Sequence, residues 1–577
     1  MVHKIHIPVM GICYTADTPI RVAHLGITSV ISLVDDGLLE EYRMAYAERL
    51  GLDLGSPQTT RIGRIRSYLD FVADEVERKF TRLCACRFDG GSDKDLYFLM
   101  LPLDSRLRVE YDGIFAKTGL ARIAAEAALT EKMEPGEIQA NIMVGLNHEE
   151  AAFDAVRGFA ASKVSGALVL SAGVNLSVFE EIAKCKDFYR TGARPPKKRI
   201  ILKVSDYRSA LVQGRYLAKK GLEVYEYRIE SGVNCGGHAF FESKKLLLDV
   251  VREFVEKRKE LFETTRSMIA KFADSCIAGD NAANASASGA ANISVQGILP
   301  PPSPARITAQ GGLCAPEDIA QVLSLGIDGV GVGTPFLLVP QATSVDKETR
   351  RLLMSAKPED VCISHASPLG IPFVNLQTST AARICEQKIQ EYFAPESEKS
   401  GNPELKPGFP CRQHYLCQNI PGFDHPVCMA SREYVMHRLA EIDKLEQEDI
   451  ESCKMQSHHA DDGEMATIRK KYDRLRRVTL SRECICRFLG NAGREEIREK
   501  SPSLHYQPEC VAVARGSQHA RTREPITICP NPDIGYFDRE YTLLEMMQHL
   551  YGTGKRLTPK DKPSAFEVEE KILKSVT

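Results

Sequence analysis

Eight short β-like runs recur along the first two-thirds of the chain with helical stretches between them, and no other feature narrows the fold so far. The runs are HKIHIPVM (3–10), GITSVISLV (26–34), EIQANIMV (137–144), SGALVLSAG (165–173), KRIILKV (198–204), LEVYEYRI (222–229), ARITAQGG (305–312) and GIDGVGVGT (326–334). Several are near-continuous apolar runs, the pattern of parallel strands covered on both faces. Amphipathic segments such as HEEAAFDAVRGFAASK (148–163), DYRSALVQGRYLAKK (206–220) and APEDIAQVLSLG (315–326) lie between them. Eight β/α units in order predict a closed (β/α)8 TIM barrel, with an open doubly wound sheet as the competing arrangement.

Two insertions stretch this barrel, at about 36–136 and 244–304. The first carries a long helix, IGRIRSYLDFVADEVERKF (62–80), and a run that reads as extended, DLYFLMLPL (95–103). The second reads as one charged helix over 244–273, then GDNAANASASGAANISVQGILPPPSP (279–304), whose small residues predict a mobile surface loop. The barrel is expected to occupy 1–380 and a linker 381–410, where ESEKSGNPELKPGFP (396–410) is rich in turn formers. Residues 411–577 then form a mainly helical, cysteine-rich C-terminal region, with charged helical segments such as EMATIRKKYDRLRRV.

At 577 residues, 43% hydrophobic and 26% charged, the chain has ample core for a globular protein. A formal net charge of −2 gives no electrostatic reason for nucleic acid or a membrane surface as partner. No apolar run approaches the roughly 18–20 residues that cross a bilayer, and MVHKIHIPVMGICYT lacks a signal-peptide layout. A cytoplasmic location follows as the default, and with it cysteines that stay as thiols or metal ligands. Cys411, Cys417, Cys428, Cys453, Cys484, Cys486, Cys510 and Cys529 all lie beyond residue 400. Cys417, Cys428, Cys484 and Cys486, with His414, His458 and His459 nearby, are enough for a zinc site or an iron–sulfur cluster. No CxxC…CxxC pair is present, so buried inert thiols remain the alternative.

Reactive groups of such a barrel gather at the C-terminal ends of its strands. Met10-Gly11 closes the first run, Asn141 lies in the third and Lys203 ends the fifth. Gly236-Gly237-His238 follows the sixth, Gln310-Gly311-Gly312 the seventh and Gly333-Thr334 the eighth. Glycines after strands seven and eight bare backbone N–H groups, the way these barrels hold a phosphate. AQGG followed at barrel spacing by IDGVGVGTPF supplies both halves of one anion site in order.

ITAQGGLCAPEDIAQVLSLGIDGVGVGTPFLL resembles the FMN-phosphate segment of the nitronate monooxygenase (2-nitropropane dioxygenase-like) family. IPVMGI is similar to that family's opening strand, CGGHA to its Gly-Gly-His loop and SPLGIP (367–372) to its post-barrel segment. The resemblance covers about 3–35, 137–243 and 305–376. It implies FMN with its phosphate on Gly311, Gly312, Gly333 and Thr334, its ring against Met10 and Gly11, the Gly236-Gly237 backbone close to the flavin, and Gln310 also among the cofactor-binding residues. It implies Asn141 at a polar edge of the ring and Lys203 as a positive charge near the flavin. His238 is implied as the base that removes the proton beside a nitro group, or as the group that orients the nitronate. The partners implied are a small-molecule substrate and O2. An NAD(P)H-dependent enoyl or enone reductase on the same barrel is the alternative, and a non-catalytic flavin-binding or scaffold protein another. A homo-oligomer is compatible with all three. Cys235 stands where the family commonly has alanine.

Overall fold

The computed structural model describes residues 2–145, 149–171, 173–240, 245–277, 297–367, 369–410, 417–456, 462–483 and 532–576. Eight parallel strands close into a barrel in chain order: β1 (Ile5–Ile7), β2 (Thr28–Ser32), β3 (Ile138–Met143), β4 (Gly166–Ser171), β5 (Lys198–Val204), β6 (Val224–Ile229), β7 (Arg306–Gln310) and β8 (Gly329–Gly331). The ring is sealed by β8 against β1, with Ile5 opposite Val330 and His6 opposite Gly331. Every predicted run holds one of these strands, and helices Glu149–Ala161, Tyr207–Ala218 and Pro316–Ser324 lie where helical spacing placed them.

The barrel interior is apolar on one side and charged on the other. Val30, Ala167, Val169 and Ile201 pack together. Facing them, Glu226 and Arg228 of β6 alternate with Tyr227, which packs outward on Phe254. Arg228 donates to Glu226 at 2.7 Å and to Gln139 Oε1 at 2.9 Å, and Thr308 Oγ1 donates to Glu226 at 2.6 Å. Burial alone would raise the Glu226 carboxyl, but Arg228, His6 and Arg306 around it bring it down to about 2. A pair this deep is costly to form and costlier to break. The glycines of β8 make room for this layer. A Cβ at Gly331 would sit 2.7 Å from His6 Nε2 and 2.8 Å from Gln310 Cβ.

Two local expectations are corrected. The stretch 95–103 is not extended: Asp93–Leu99 is a helix whose Ser92 and Asp95 form a capping box. Its buried residues, Tyr97, Phe98, Met100 and Leu101, are clustered in sequence rather than alternating, and the cap decides the conformation. The helix read over 244–273 is two, Leu247–Glu256 and Arg258–Ile277, parted at Lys257. There Arg258 turns away to pair with Asp328 at 2.7 Å. The low-complexity stretch 279–296 lies outside the described residues. Apart from its loops, the first insertion is helical, from Asp36–Leu50 through Gly119–Thr130.

Past the barrel, β9 (Val361–Ser364) and β10 (Phe373–Leu376) pair antiparallel. Helices Arg432–Gln456 and Asp462–Leu480 pack on each other, with Arg476 2.8 Å from Asp443. The chain then returns to the barrel. Met546, Met547 and Leu550 of helix Leu543–Leu550 join the main core, and Tyr551 accepts a hydrogen bond from the backbone of Lys4 at 3.0 Å. Among the described residues no helix is long and apolar enough to cross a membrane.

Candidate functional site

A cleft opens at the mouth of the barrel where β1, β6, β7 and β8 end. Pro8, Val9 and Met10 line it after β1, and Glu230, Asn234, Gly236 and Gly237 after β6. Gln310, Gly311 and Gly312 line it from β7, and Gly331, Gly333 and Thr334 from β8. Met10, Gly236, Gly237, Gln310, Gly311, Gly312, Gly333 and Thr334, dispersed over more than 300 positions, converge on this one cleft.

The glycines here bare the backbone. Gly311 has φ +121°, and a Cβ on it would lie 3.1 Å from the Asn234 carbonyl oxygen. A Cβ on Gly333 would lie 3.1 Å from Met10 Cγ. No lysine or arginine is among the described lining residues, so an anion here would be held by backbone N–H groups and neutral side-chain donors such as Thr334.

The Gly-Gly-His loop is a tight turn, with Cys235 and His238 exchanging backbone hydrogen bonds at 2.9 and 3.1 Å. The post-barrel segment straps it in place, since Ala239 N donates to the Pro372 carbonyl at 2.9 Å and Val374 N to the Gly237 carbonyl at 2.8 Å. That strapping presents Gly236 and Gly237 to the cleft but turns His238 elsewhere. The imidazole packs 4.5 Å from Phe373 between ring centroids and does not line the cleft. Burial pulls it down to about 4, and its Nε2 is buried without a hydrogen-bond partner.

Other expected residues fall at the margin. Asn141 is buried in β3, away from the lining. Gly11 is small for another reason, because a Cβ there would meet the Tyr14 ring at 2.7 Å. Lys203 does not stand as an unpaired charge: its Nζ lies 3.0 Å from Glu230 Oε2. Burial works against the Lys203 ammonium, but the neighbouring Glu230 carboxylate outweighs it and raises the pKa.

Glu230 is the residue the sequence reading passed over. It is 3% exposed and lines the cleft. Its Oε1 accepts from Gln310 Nε2 at 2.5 Å, and its Oε2 accepts from Lys203 and, at 2.8 Å, from the Cys235 thiol. Cys235 is thereby a donor to a carboxylate. Strand alternation carried the signal, because Glu226, Arg228 and Glu230 share the inward face of β6 and its extension.

Of the proposed metal ligands, Cys484 and Cys486 lie outside the described residues, as do His414, His458 and His459. Cys417 and Cys428 are buried beside the bridged pair Gln418 and Val427. Among the described residues no three His, Cys, Asp or Glu side chains are grouped to hold a metal.

No family model and no curated protein matches the chain. Solved structures do. The enoyl reductase domain of MlnA from the macrolactin biosynthesis cluster of Bacillus amyloliquefaciens aligns at 13% identity and TM-score 0.36, over 80% of this chain and 86% of that one. FabK from Thermotoga maritima aligns at 17% and 0.27, over 46% and 62%. Nitroalkane oxidase from Streptomyces ansochromogenes aligns at 10% and 0.30, over 66% and 78%. Similarity at this level assigns neither cofactor nor activity to this chain.

Proposed function

We propose that the barrel is a flavin-dependent oxidoreductase that binds FMN in the cleft and oxidises an alkyl nitronate with O2. The observation that carries this reading is the convergence of the β7 and β8 glycine loops, Met10 and Gly236-Gly237 on one cleft. Gly311, Gly312, Gly333 and Thr334 would hold the phosphate through backbone and hydroxyl donors. Met10, Gly236 and Gly237 would flank the ring, where only glycine lets backbone approach closely. When bound, the flavin supplies the redox chemistry, and the chain supplies position and electrostatics.

The residues facing the cleft favour a preformed nitronate over a neutral nitroalkane. No histidine is among the described lining residues, and His238 at about 4 is a weak base. Deprotonating a carbon acid needs a well-placed base, whereas a nitronate has already lost that proton. The Lys203–Glu230 pair offsets the carboxylate's charge, so the cleft does not repel an anion.

The visible spectrum of the purified protein, followed by FMN titration, tests the cofactor. A flavin band, retained through gel filtration, is expected. Nitrite release from ethyl nitronate under air tests the reaction, with release from neutral nitroethane expected to be at least tenfold slower. A colourless protein that takes up no FMN sinks the flavin reading. Anaerobic bleaching by NADPH with no nitrite release would replace the nitronate with an enone-type reductase substrate.

A further inference from the structure

Val374, Pro532 and Ile572 line the cleft, and the same three residues line a second, larger cavity beside it, of about 1340 Å3. Two of them come from the returning C-terminal segment, beyond every stretch that carries the glycine loops. Ile572 is 6% exposed and Val374 5%, and they pack together with Val233 and Ala239. On the far side the apolar surface continues through Val361, Ile363 and Val568, which pack against the same group. Charged side chains of this cavity include an internal pair, Lys562 to Asp533 at 3.0 Å. Glu359, Arg474, Asp561, Glu567 and Lys571 also line this cavity, so the aliphatic surface running out of the cleft is a strip along Val361, Ile363 and Val568 rather than the whole wall.

The helix that carries Ile572 and Val568, Ala565–Val576, is fixed to the barrel by buried polar contacts. Asp318 Oδ2 accepts from Ala565 N at 3.1 Å at its start, and the Glu569 carboxylate accepts from Leu247 N at 3.0 Å in its middle. Glu569 is 4% exposed. These contacts hold Ile572 at the boundary rather than leaving it to swing.

We propose that the two cavities form one path for an elongated straight-chain ligand, its polar end on the glycine floor and its alkyl chain running along the surface of Val374, Pro532 and Ile572 that both cavities share. The placement of the polar end rests on the proposed flavin function; the path for the chain does not. A short ligand would use the cleft alone, while each further methylene would leave water for aliphatic surface.

The test is anaerobic calorimetry with alkyl nitronates of two, four, six and eight carbons on the full-length protein. Affinity is expected to rise about threefold to fourfold per buried methylene, and at least thirtyfold from the shortest to the longest. Ile572→Trp and Val568→Trp, one at the boundary and one beyond it, should each shrink that ratio at least tenfold. A flat series in the wild-type protein overturns the proposal, as does an unchanged ratio in the folded variants. Photolabelling of wild-type protein with an octyl nitronate bearing a terminal diazirine decides it even if neither variant folds. Labels on Val361, Ile363 or Val568 support the path, and labels confined elsewhere overturn it. A colourless protein with the same length dependence overturns the flavin reading and leaves the path standing; a flavoprotein with a flat series does the reverse.

Discussion

At Glu230 a carboxylate that is 3% exposed accepts hydrogen bonds from Gln310, Lys203 and Cys235 at once. Removing it by Glu230→Ala strands a largely buried ammonium, and the expected loss is about 3 kcal/mol, read by urea denaturation. Adding Lys203→Met should restore part of that loss, because the uncompensated charge goes with it; a strictly additive double mutant would mean the two do not interact. Gly333 lines the same cleft from the end of β8. Gly333→Val pushes side-chain atoms toward Met10 Cγ, already 3.1 Å from the position of a Cβ. FMN affinity is expected to fall at least a hundredfold, measured by fluorescence titration, with little change in melting temperature. His238→Asn should lower nitrite release from nitronate and nitroalkane by the same factor, because its ring faces Phe373 instead of the cleft.

Among the elements, those that depend on one local interaction offer the sharpest tests. Helix Asp93–Leu99 starts on the Ser92–Asp95 capping box, and Asp95 Oδ2 also accepts from the backbone of Gly90 at 2.9 Å. Ser92→Ala should therefore cost about 1 kcal/mol, seen as a lower denaturation midpoint. This is also why an apolar run that resembles a strand folds as a helix, since nothing beside it offers a strand to pair with while the cap satisfies its first N–H groups. The break at Lys257 has a different origin. Charge and apolar spacing continue through it, but Arg258 is drawn to Asp328 and to the Ala305 carbonyl, partners some 47 to 70 positions away. No local pattern encodes that pull. Several barrel strands were legible because they are dense apolar runs bounded by glycine or polar punctuation, a pattern that parallel strands covered on both faces need.

For the molecule as a whole, burial of neutral histidines sets the acid limit. Desolvation lowers His3, His24, His238 and His549 to about 4 and His6 to about 3, against an ordinary value of 6.5. Unfolded histidines take up protons as pH falls through 6.5, while the folded ones stay neutral until near 4, so folding stability falls across that window. The melting temperature should drop steadily from pH 6.5 to 4.5, with a total loss on the order of several kcal/mol; a flat profile there would show these rings to be solvated. The places of the eight strands and the glycine positions that meet at the barrel mouth were determined by the sequence itself, because strand periodicity and bare backbone are local properties of residue type, whereas the pairing of β8 with β1 that closes the ring is long-range. Tertiary structure alone decided which charges are paired, which way His238 faces and that Ile572 reaches the cleft. Those outcomes depend on side chains brought together from distant parts of the chain, and burial then multiplies the energetic consequence of each pairing.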